Sequence, residues 1–566
     1  MKRAQYIPVS PWRLHVVAIV IAILFAMLVW RVLSLQVLET DRGYEFLQNQ
    51  GEARYVRIAE IPAYRGIITD RRGEPLAVST PVISLWADPG KVMESGRSRE
   101  LAQAMSITAD KLQQRLTRYA DKKFIYLQRH MTPEDARRVL SLKIDGVGGR
   151  REYQRYYPAG EVVSHLVGFT NVDEQGIEGV ELAYNDWLSG TPGRKQVIKD
   201  LYGDVVRDIG ELQSASPGRD LQLSIDLRLQ YLAHRELQRA ITMSGARAGA
   251  VVTLDSQTGE VLAMVSHPTY NPNARRGVTP NQTRNRAIID VFEPGSTMKP
   301  LTLVAALESG LFTPDTMIDT SPGHIKVGNK VLLDPVNYGE ISVAQVLAKS
   351  SQVGIVKIAL QLDEQAVWKT FNRFGLGANP GTGFPGESAG VLPYRDKWRP
   401  IERVTLAYGY GLAVSPLQLA RAYGVIASGG KLLTPSLLRL TDQPSIAPQV
   451  LEPGIARQVL EVLHGVTLDG GTARRARVDG YSVAGKTGTA HKVSRNGYAD
   501  DRYTAFFAGI APATNPRLVT IVVIDEPKGD HYYGGEIAAP VFSRITAGAL
   551  RLLNVVPDQP KKGGAA

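Results

Sequence analysis

Residues 292–307 read Phe292-Glu293-Pro294-Gly295-Ser296-Thr297-Met298-Lys299-Pro300-Leu301-Thr302-Leu303-Val304-Ala305-Ala306-Leu307. Pro294-Gly295 signals a turn, and the apolar run from Leu301 predicts a buried helix. Pro300 is tolerated only in the first turn of such a helix, where its missing N–H is not needed. Ser296 and Lys299 then sit three positions apart on one face, with Cβ atoms about 5–6 Å apart, so a hydroxyl and an amine are within reach of each other. A serine attacks only after something takes its proton, and a lysine does so only when burial or a second cation holds its pKa down. The Ser-x-x-Lys pattern recurs at Ser428 and Lys431. There it lies in Ala427-Ser428-Gly429-Gly430-Lys431, a glycine loop that cannot hold two side chains together.

Outward from this stretch, 227–240 has helical spacing, and 249–255 with 260–266 forms a hairpin across Ser-Gln-Thr-Gly. Helices are expected at 301–307, 344–362, 417–427 and 455–466, strands at 482–490, 504–510 and 518–525, and a closing helix at 538–553. A hairpin, a helical middle, then strands and a final helix describe an α+β domain, 219–556, with an antiparallel sheet flanked by helices. Ser214-Ala-Ser-Pro-Gly218 marks a hinge before it. Upstream, 39–218 is polar and arginine-rich with short apolar runs, and reads as an elongated, β-rich, non-catalytic pedestal domain. The Lys-Lys-Gly-Gly-Ala-Ala end, within 557–566, reads as a frayed tail.

The beginning of the chain sets its location. Positions 14–30 are apolar apart from His15, and the run continues more sparsely to Leu38. Roughly 17–25 apolar residues cross a bilayer as a helix, so 14–33 is expected to be a transmembrane anchor. A cleaved signal peptide has a shorter core and a small-x-small cleavage site, and here the core runs into Met27-Leu28-Val29-Trp30. Lys2, Arg3 and Arg13 are expected to keep residues 1–13 cytoplasmic, leaving about 530 residues on the far, extracytoplasmic side of the membrane.

Length and composition narrow the chemistry. At about 150 residues per domain, 566 residues allow three or four domains. Hydrophobic residues at 44% and charged residues at 21% exclude wholesale disorder. The absence of cysteine excludes disulfide scaffolds, thiolate metal sites and cysteine nucleophiles together. A net charge of +11 over this length reads as solubility first, and only second as affinity for an anionic polymer or membrane face.

Three further motifs match on paper and fail in context. Gly381-x-Gly383-x-x-Gly386 lacks the leading strand of a dinucleotide site. Gly386-Glu387-Ser388-Ala389-Gly390 lacks the strand–turn–helix of a nucleophile elbow. Both lie in one glycine–proline loop. Gly480 to Thr487 satisfies the P-loop pattern, but a basic lead-in and a strand-like lead-out through Gly488-Thr489-Ala490 argue against phosphate binding.

The surviving constellation needs three distant segments. Lys486, on a strand beside the helix start, would be the second cation near Lys299. Ser350 and Ser351, with Gln352, would supply a hydroxyl relay and a substrate-orienting amide. The backbone N–H groups of Ser296 and Thr489 are natural oxyanion donors. Thr487 and Thr489 flank Gly488 and point to one side of the strand, where they can grip a carboxylate.

Ser296-x-x-Lys299, Ser350-Ser351-Gln352 and Lys486-Thr487-Gly488-Thr489 resemble, in order and rough spacing, the three motifs of penicillin-binding proteins. Residues 65–77 (RGIITDRRGEPLA), 155–160 (RYYPAG) and 176–179 (GIEG) look like the characteristic boxes of the class B N-terminal module. Tyr408-Gly409-Tyr410-Gly411 and Phe292-Glu293-Pro294-Gly295-Ser296 also look like class B segments. The length and single anchor are more similar to the septal, penicillin-binding protein 3 type than to the elongation type. One departure stands out: the second motif ends in Gln352 where the family has asparagine, which implies altered acylation or β-lactam affinity.

The resemblance implies a serine D,D-transpeptidase of peptidoglycan, acting on D-Ala-D-Ala stem peptides and acylated by β-lactams. Ser296 would be the nucleophile, Lys299 its base, and Ser350 and Lys486 proton carriers. Gln352, Thr487, Gly488 and Thr489 would contact substrate, and Tyr503, Tyr532 and Tyr533 would form an aromatic wall. No metal, cofactor or nucleic acid is implied. A glycan polymerase and other division proteins are expected as partners. A D,D-carboxypeptidase or β-lactamase using the same serine is the alternative, and a non-turnover penicillin sensor a third reading.

Overall fold

The computed structural model describes residues 10–36, 56–199, 205–441, 447–494 and 497–559. Lys2 and Arg3 of the expected cytoplasmic tail and the Lys-Lys-Gly-Gly-Ala-Ala end lie outside these residues. Helix α1 (Pro11–Gln36) carries its apolar side chains exposed all round, among them Phe25 and Trp30. At 1.5 Å per residue its 26 residues exceed the ~30 Å hydrocarbon core of a bilayer. It is the candidate membrane span among the described residues.

The rest divides into two compact units. The first contains 81–152 and 190–217. Its core is Leu85, Val92, Leu101, Leu112, Leu116, Leu127 and Val139, gathered from a strand pair and short helices. Thr132 caps one of these, Pro133–Leu140, by accepting the Asp135 N–H. A separate antiparallel sheet joins Val56–Ile61, Gly193–Lys199 and Val205–Gln213.

The second unit contains 218–566 together with 64–80 and 153–189, two segments read from sequence as part of the pedestal. Hydrogen bonds tie both segments to 218–566: Arg71 N–H donates to Ile225 O at 2.9 Å, Leu227 N–H to Asp70 Oδ2 at 3.0 Å and Tyr157 N–H to Asn273 Oδ1 at 3.0 Å. The two segments are joined to each other by a buried charge cluster, in which Glu181 accepts from Arg65 and Arg155 at 2.6 Å each. Separating such a set strands an uncompensated charge, at a cost of about 3–5 kcal/mol.

This unit is built on α2 (Leu227–Ser244), β1 (Ala248–Asp255), β2 (Val261–His267), α3 (Lys299–Glu308), α4 (Val343–Lys349), α5 (Gln352–Gln361), α6 (Pro416–Ala427), α7 (Pro453–Thr467), β3 (Ala484–Ser494), β4 (Gly497–Ala511), β5 (Leu518–Asp525) and α8 (Gly534–Leu552). The sheet order is β2-β1-β5-β4-β3, antiparallel throughout. Every residue of β1 is buried, so both faces of the central strands are covered. Helices α2 and α8 pack on each other and on the sheet, and α6 packs across β1, β4 and β5. The core hydroxyls pair, Thr253 with Thr520 at 3.0 Å, as buried polar groups must.

One expected element is divided. The stretch 344–362 is two helices, α4 and α5, because Ser350 turns left-handed (φ 58°) and Ser351 starts a new helix by accepting the Gly354 N–H. The two serines supply the hydrogen bonds that a continuous helix would otherwise hold.

Candidate active site

The nucleophile region is a one-turn 3-10 helix, Gly295–Met298, running directly into α3. Gly295 donates its N–H to Gly409 O at 2.9 Å. A Cβ on Gly409 would lie 2.0 Å from Gly295 O, so the glycine of Tyr-Gly-Tyr-Gly is what allows this approach. Tyr423 locks the turn from below, its hydroxyl donating to Thr297 O at 2.7 Å. Ser296 itself is half-buried, and neither its hydroxyl nor its amide N–H bonds to a described residue.

Lys299 is 2% exposed. Its Nζ donates to Ser350 O at 2.6 Å, Ser350 Oγ at 3.2 Å and Ser351 O at 3.4 Å. The amine therefore faces the second motif, and the Ser296–Lys299 hydrogen bond is not formed, a common state of unliganded sites. The left-handed turn at Ser350 is what turns both its carbonyl and its hydroxyl to the lysine.

β3 forms the opposite wall. Gly488 permits its approach, since a Cβ there would meet Thr297 Cγ2 at 2.9 Å and Pro294 O at 3.1 Å. Lys486 is fully buried, donating to Thr487 O at 3.2 Å. The strand continues to Ser494 with no helix after the lysine, so the P-loop match carries no phosphate cradle.

Burial pushes the Lys299 amine down to about 7, against the nearby Asp334 carboxylate, which favours the charged form. Burial, and then the Lys299 charge, push Lys486 well below its ordinary value. Desolvation is the cause that lowers Lys299.

The remaining candidates also gather here. Thr487 Oγ1 donates to Thr472 Oγ1 at 3.1 Å, and Thr489 Oγ1 accepts from Gly534 N at 3.0 Å. That second bond ties β3 to the segment bearing the tyrosines. Tyr503 stacks on Tyr532 (4.1 Å, 14°) and Tyr532 on Tyr533 (4.5 Å, 29°), a continuous aromatic face. The Gln352 side chain engages the Tyr408 hydroxyl.

Sequence reasoning missed Asp334 and Thr472, neither of which carries a local motif. It also left Glu293 without a role. Glu293 Oε1 accepts from Gly411 N at 2.8 Å and Tyr498 OH at 3.2 Å, bracing the turn ahead of Ser296. Ser428 and Ser388, by contrast, are spent on their own loops.

Comparison with known proteins agrees with this arrangement. Residues 249–547 match the penicillin-binding protein transpeptidase domain, and 60–223 the penicillin-binding protein dimerisation domain. The chain belongs to the penicillin-binding protein transpeptidases. It is 43% identical over 97% of its length, and 93% of the relative, to the peptidoglycan D,D-transpeptidase FtsI of Escherichia coli (strain K12). It is 38% identical over 98% of its length, and 95% of the relative, to the probable peptidoglycan D,D-transpeptidase PenA of Neisseria gonorrhoeae. Among solved structures, penicillin-binding protein 3 of Mycobacterium tuberculosis, complexed with aztreonam, is 28% identical with a TM-score of 0.69, covering 90% of this chain and 100% of that one.

Proposed function

We propose that this penicillin-binding protein is a peptidoglycan D,D-transpeptidase of the division septum. The observation that carries the reading is a buried lysine, Lys299, held by Ser350 one turn after Ser296, whose hydroxyl has no partner among the described residues. Ser296 Oγ attacks the penultimate D-alanine carbonyl of a stem peptide. Its proton passes to Lys299, and from there through Ser350 and Lys486 to the departing D-alanine amine. The Ser296 and Thr489 N–H groups take the developing oxyanion charge. A neighbouring stem-peptide amine then attacks the ester: a C–N bond forms, the C–Oγ bond breaks, and the proton returns to Ser296.

Thr487 and Thr489 face the substrate carboxylate, Gln352 and the backbone along Gly488 align the peptide, and the Tyr503–Tyr532–Tyr533 face bounds the cleft. β-Lactams acylate the same serine. Lys2, Arg3 and Arg13 support a cytoplasmic segment 1–13 by the positive-inside rule, with the catalytic unit on the periplasmic side. Residues 39–218 set reach from the membrane, and a septal glycan polymerase and other division proteins are the expected partners; the names of the relatives support this only by analogy.

Labelling the purified protein with a fluorescent penicillin and locating the adduct by mass spectrometry tests the reading. The adduct is expected on Ser296, and cross-linked dimers are expected from stem-peptide substrate. Rapid hydrolysis without cross-linking would instead favour the carboxypeptidase or β-lactamase alternative.

A further inference from the structure

Asp334 directly follows the strand Lys330–Leu333 and is nearly buried. Its backbone N–H donates to Gly323 O at 2.9 Å, which anchors it to the base of a hairpin. The carboxylate is turned wholly onto the second motif. Oδ2 accepts from Ser351 Oγ at 2.5 Å, and Oδ1 accepts from Gln352 N at 2.5 Å and Val353 N at 3.2 Å. It thus satisfies two of the N–H groups that the start of α5 leaves open, while Ser351 serves a third, the Gly354 N–H.

Among the described residues the contacts of the buried Asp334 carboxylate are hydrogen bonds from this one turn. Its three hydrogen bonds all hold the turn whose first residue, Ser350, occupies a left-handed conformation that is costly for a side-chain-bearing residue. That turn presents the oxygens that Lys299 contacts. We propose that Asp334 is a positioning residue for acylation, clamping the Ser350–Val353 turn so that Ser350 offers its carbonyl and hydroxyl to Lys299.

A second consequence is electrostatic. The groups facing Lys299 are Lys486 from β3, the carbonyls of Ser350 and Ser351, and the Asp334 carboxylate. The Asp334 carboxylate favours the charged form of the Lys299 amine, against the larger effect of burial. The same carboxylate raises the Tyr338 hydroxyl, which follows burial as the larger cause there.

The inference rests on Ser296 being the acylated nucleophile, and its test separates the two claims. Acylation by a fluorescent penicillin is followed against pH for the full-length chain, Asp334→Asn and Asp334→Ala, with melting curves for each. Asp334→Asn preserves shape and removes charge, so its acid limb is expected at lower pH than in the wild type, with a plateau within about threefold. Asp334→Ala releases the turn and is expected to acylate at least about tenfold more slowly at the plateau. A role in folding alone would lower the melting temperature without moving the acid limb. An unmoved or upward-moved limb in Asp334→Asn overturns the proposal, as does a folded Asp334→Ala that acylates at the wild-type rate. If Asp334→Ala does not fold, the limb of Asp334→Asn decides. A wild-type chain that takes no label on Ser296 refutes the proposed function instead.

Discussion

The two Ser-x-x-Lys tetrads lie in the same unit and share nothing but their letters. At the first, Lys299 is 2% exposed and bonded to two carbonyls and a hydroxyl of the second motif, while the Ser296 hydroxyl has no partner among the described residues. At the second, Lys431 is exposed and the Ser428 hydroxyl is consumed locally, donating to Lys431 O at 2.8 Å and accepting from Lys431 N at 3.1 Å. A lysine in water keeps its proton at neutral pH and cannot serve as a base, whereas one stripped of water gives it up near pH 7. The comparison teaches that desolvation, rather than the tetrad, makes the chemistry.

The sharpest way to break that contrast is to remove each hydroxyl in turn. Ser296→Ala is expected to abolish covalent penicillin labelling, and Ser428→Ala and Ser388→Ala to leave it at the wild-type level, as read by gel fluorescence and mass spectrometry. A label retained in Ser296→Ala would put the nucleophile elsewhere.

Next in size is the base. Arginine cannot lose its proton at any working pH. Lys299→Arg should therefore slow acylation by about 100-fold or more, whereas Lys431→Arg should leave the rate unchanged in stopped-flow measurements. In the wild type the acylation rate should rise with pH through about 7, as the Lys299 amine becomes neutral.

The same burial should be visible in stability. The Lys299 amine falls to about 7 in the folded chain from an ordinary 10.5. Between those values the unfolded chain holds the extra proton, so stability rises as pH increases from 7 toward 10.5 and is least below 7. Lys299→Met removes this contribution. Its gain over the wild type should reach a few kcal/mol below pH 7 and fade by pH 10, in denaturant melts of the detergent-solubilised chain. Lys486 adds a slope of the same sign to both proteins.

The smallest expected effect concerns Gln352. Its amide lies against the Tyr408 hydroxyl and sits one methylene farther out than an asparagine would. Gln352→Asn should speed acylation by a few-fold, within about 1 kcal/mol. An unchanged rate would mean that the longer amide reaches the same contacts.

Much of this was open to reading from residues alone. The hairpin at 249–266, the helices at 227–244 and 416–427 and the closing helix follow from apolar spacing, because each buries a face against the sheet. The left-handed break at Ser350 was not readable, since Ala344 to Leu362 keeps one helical period across it and the turn is imposed by hydrogen bonds from a distant carboxylate. Asp334 was invisible for the same reason: nothing around Leu333-Asp334-Pro335 marks it until the fold brings the start of α5 to it. The packing of 64–80 and 153–189 with 218–566 also escaped, because it rests on hydrogen bonds such as Arg71 to Ile225 and Tyr157 to Asn273, between residues more than 100 positions apart.

Local order in the chain was enough to specify which segments are helix, which are strand and which side chains could do acyl transfer, because periodicity and turn chemistry act over a few residues. Whether a lysine holds a proton is set by how much water surrounds it, and water is excluded only when segments remote along the chain close over it. The nucleophile was thus written in the primary structure, and its activation arose from packing.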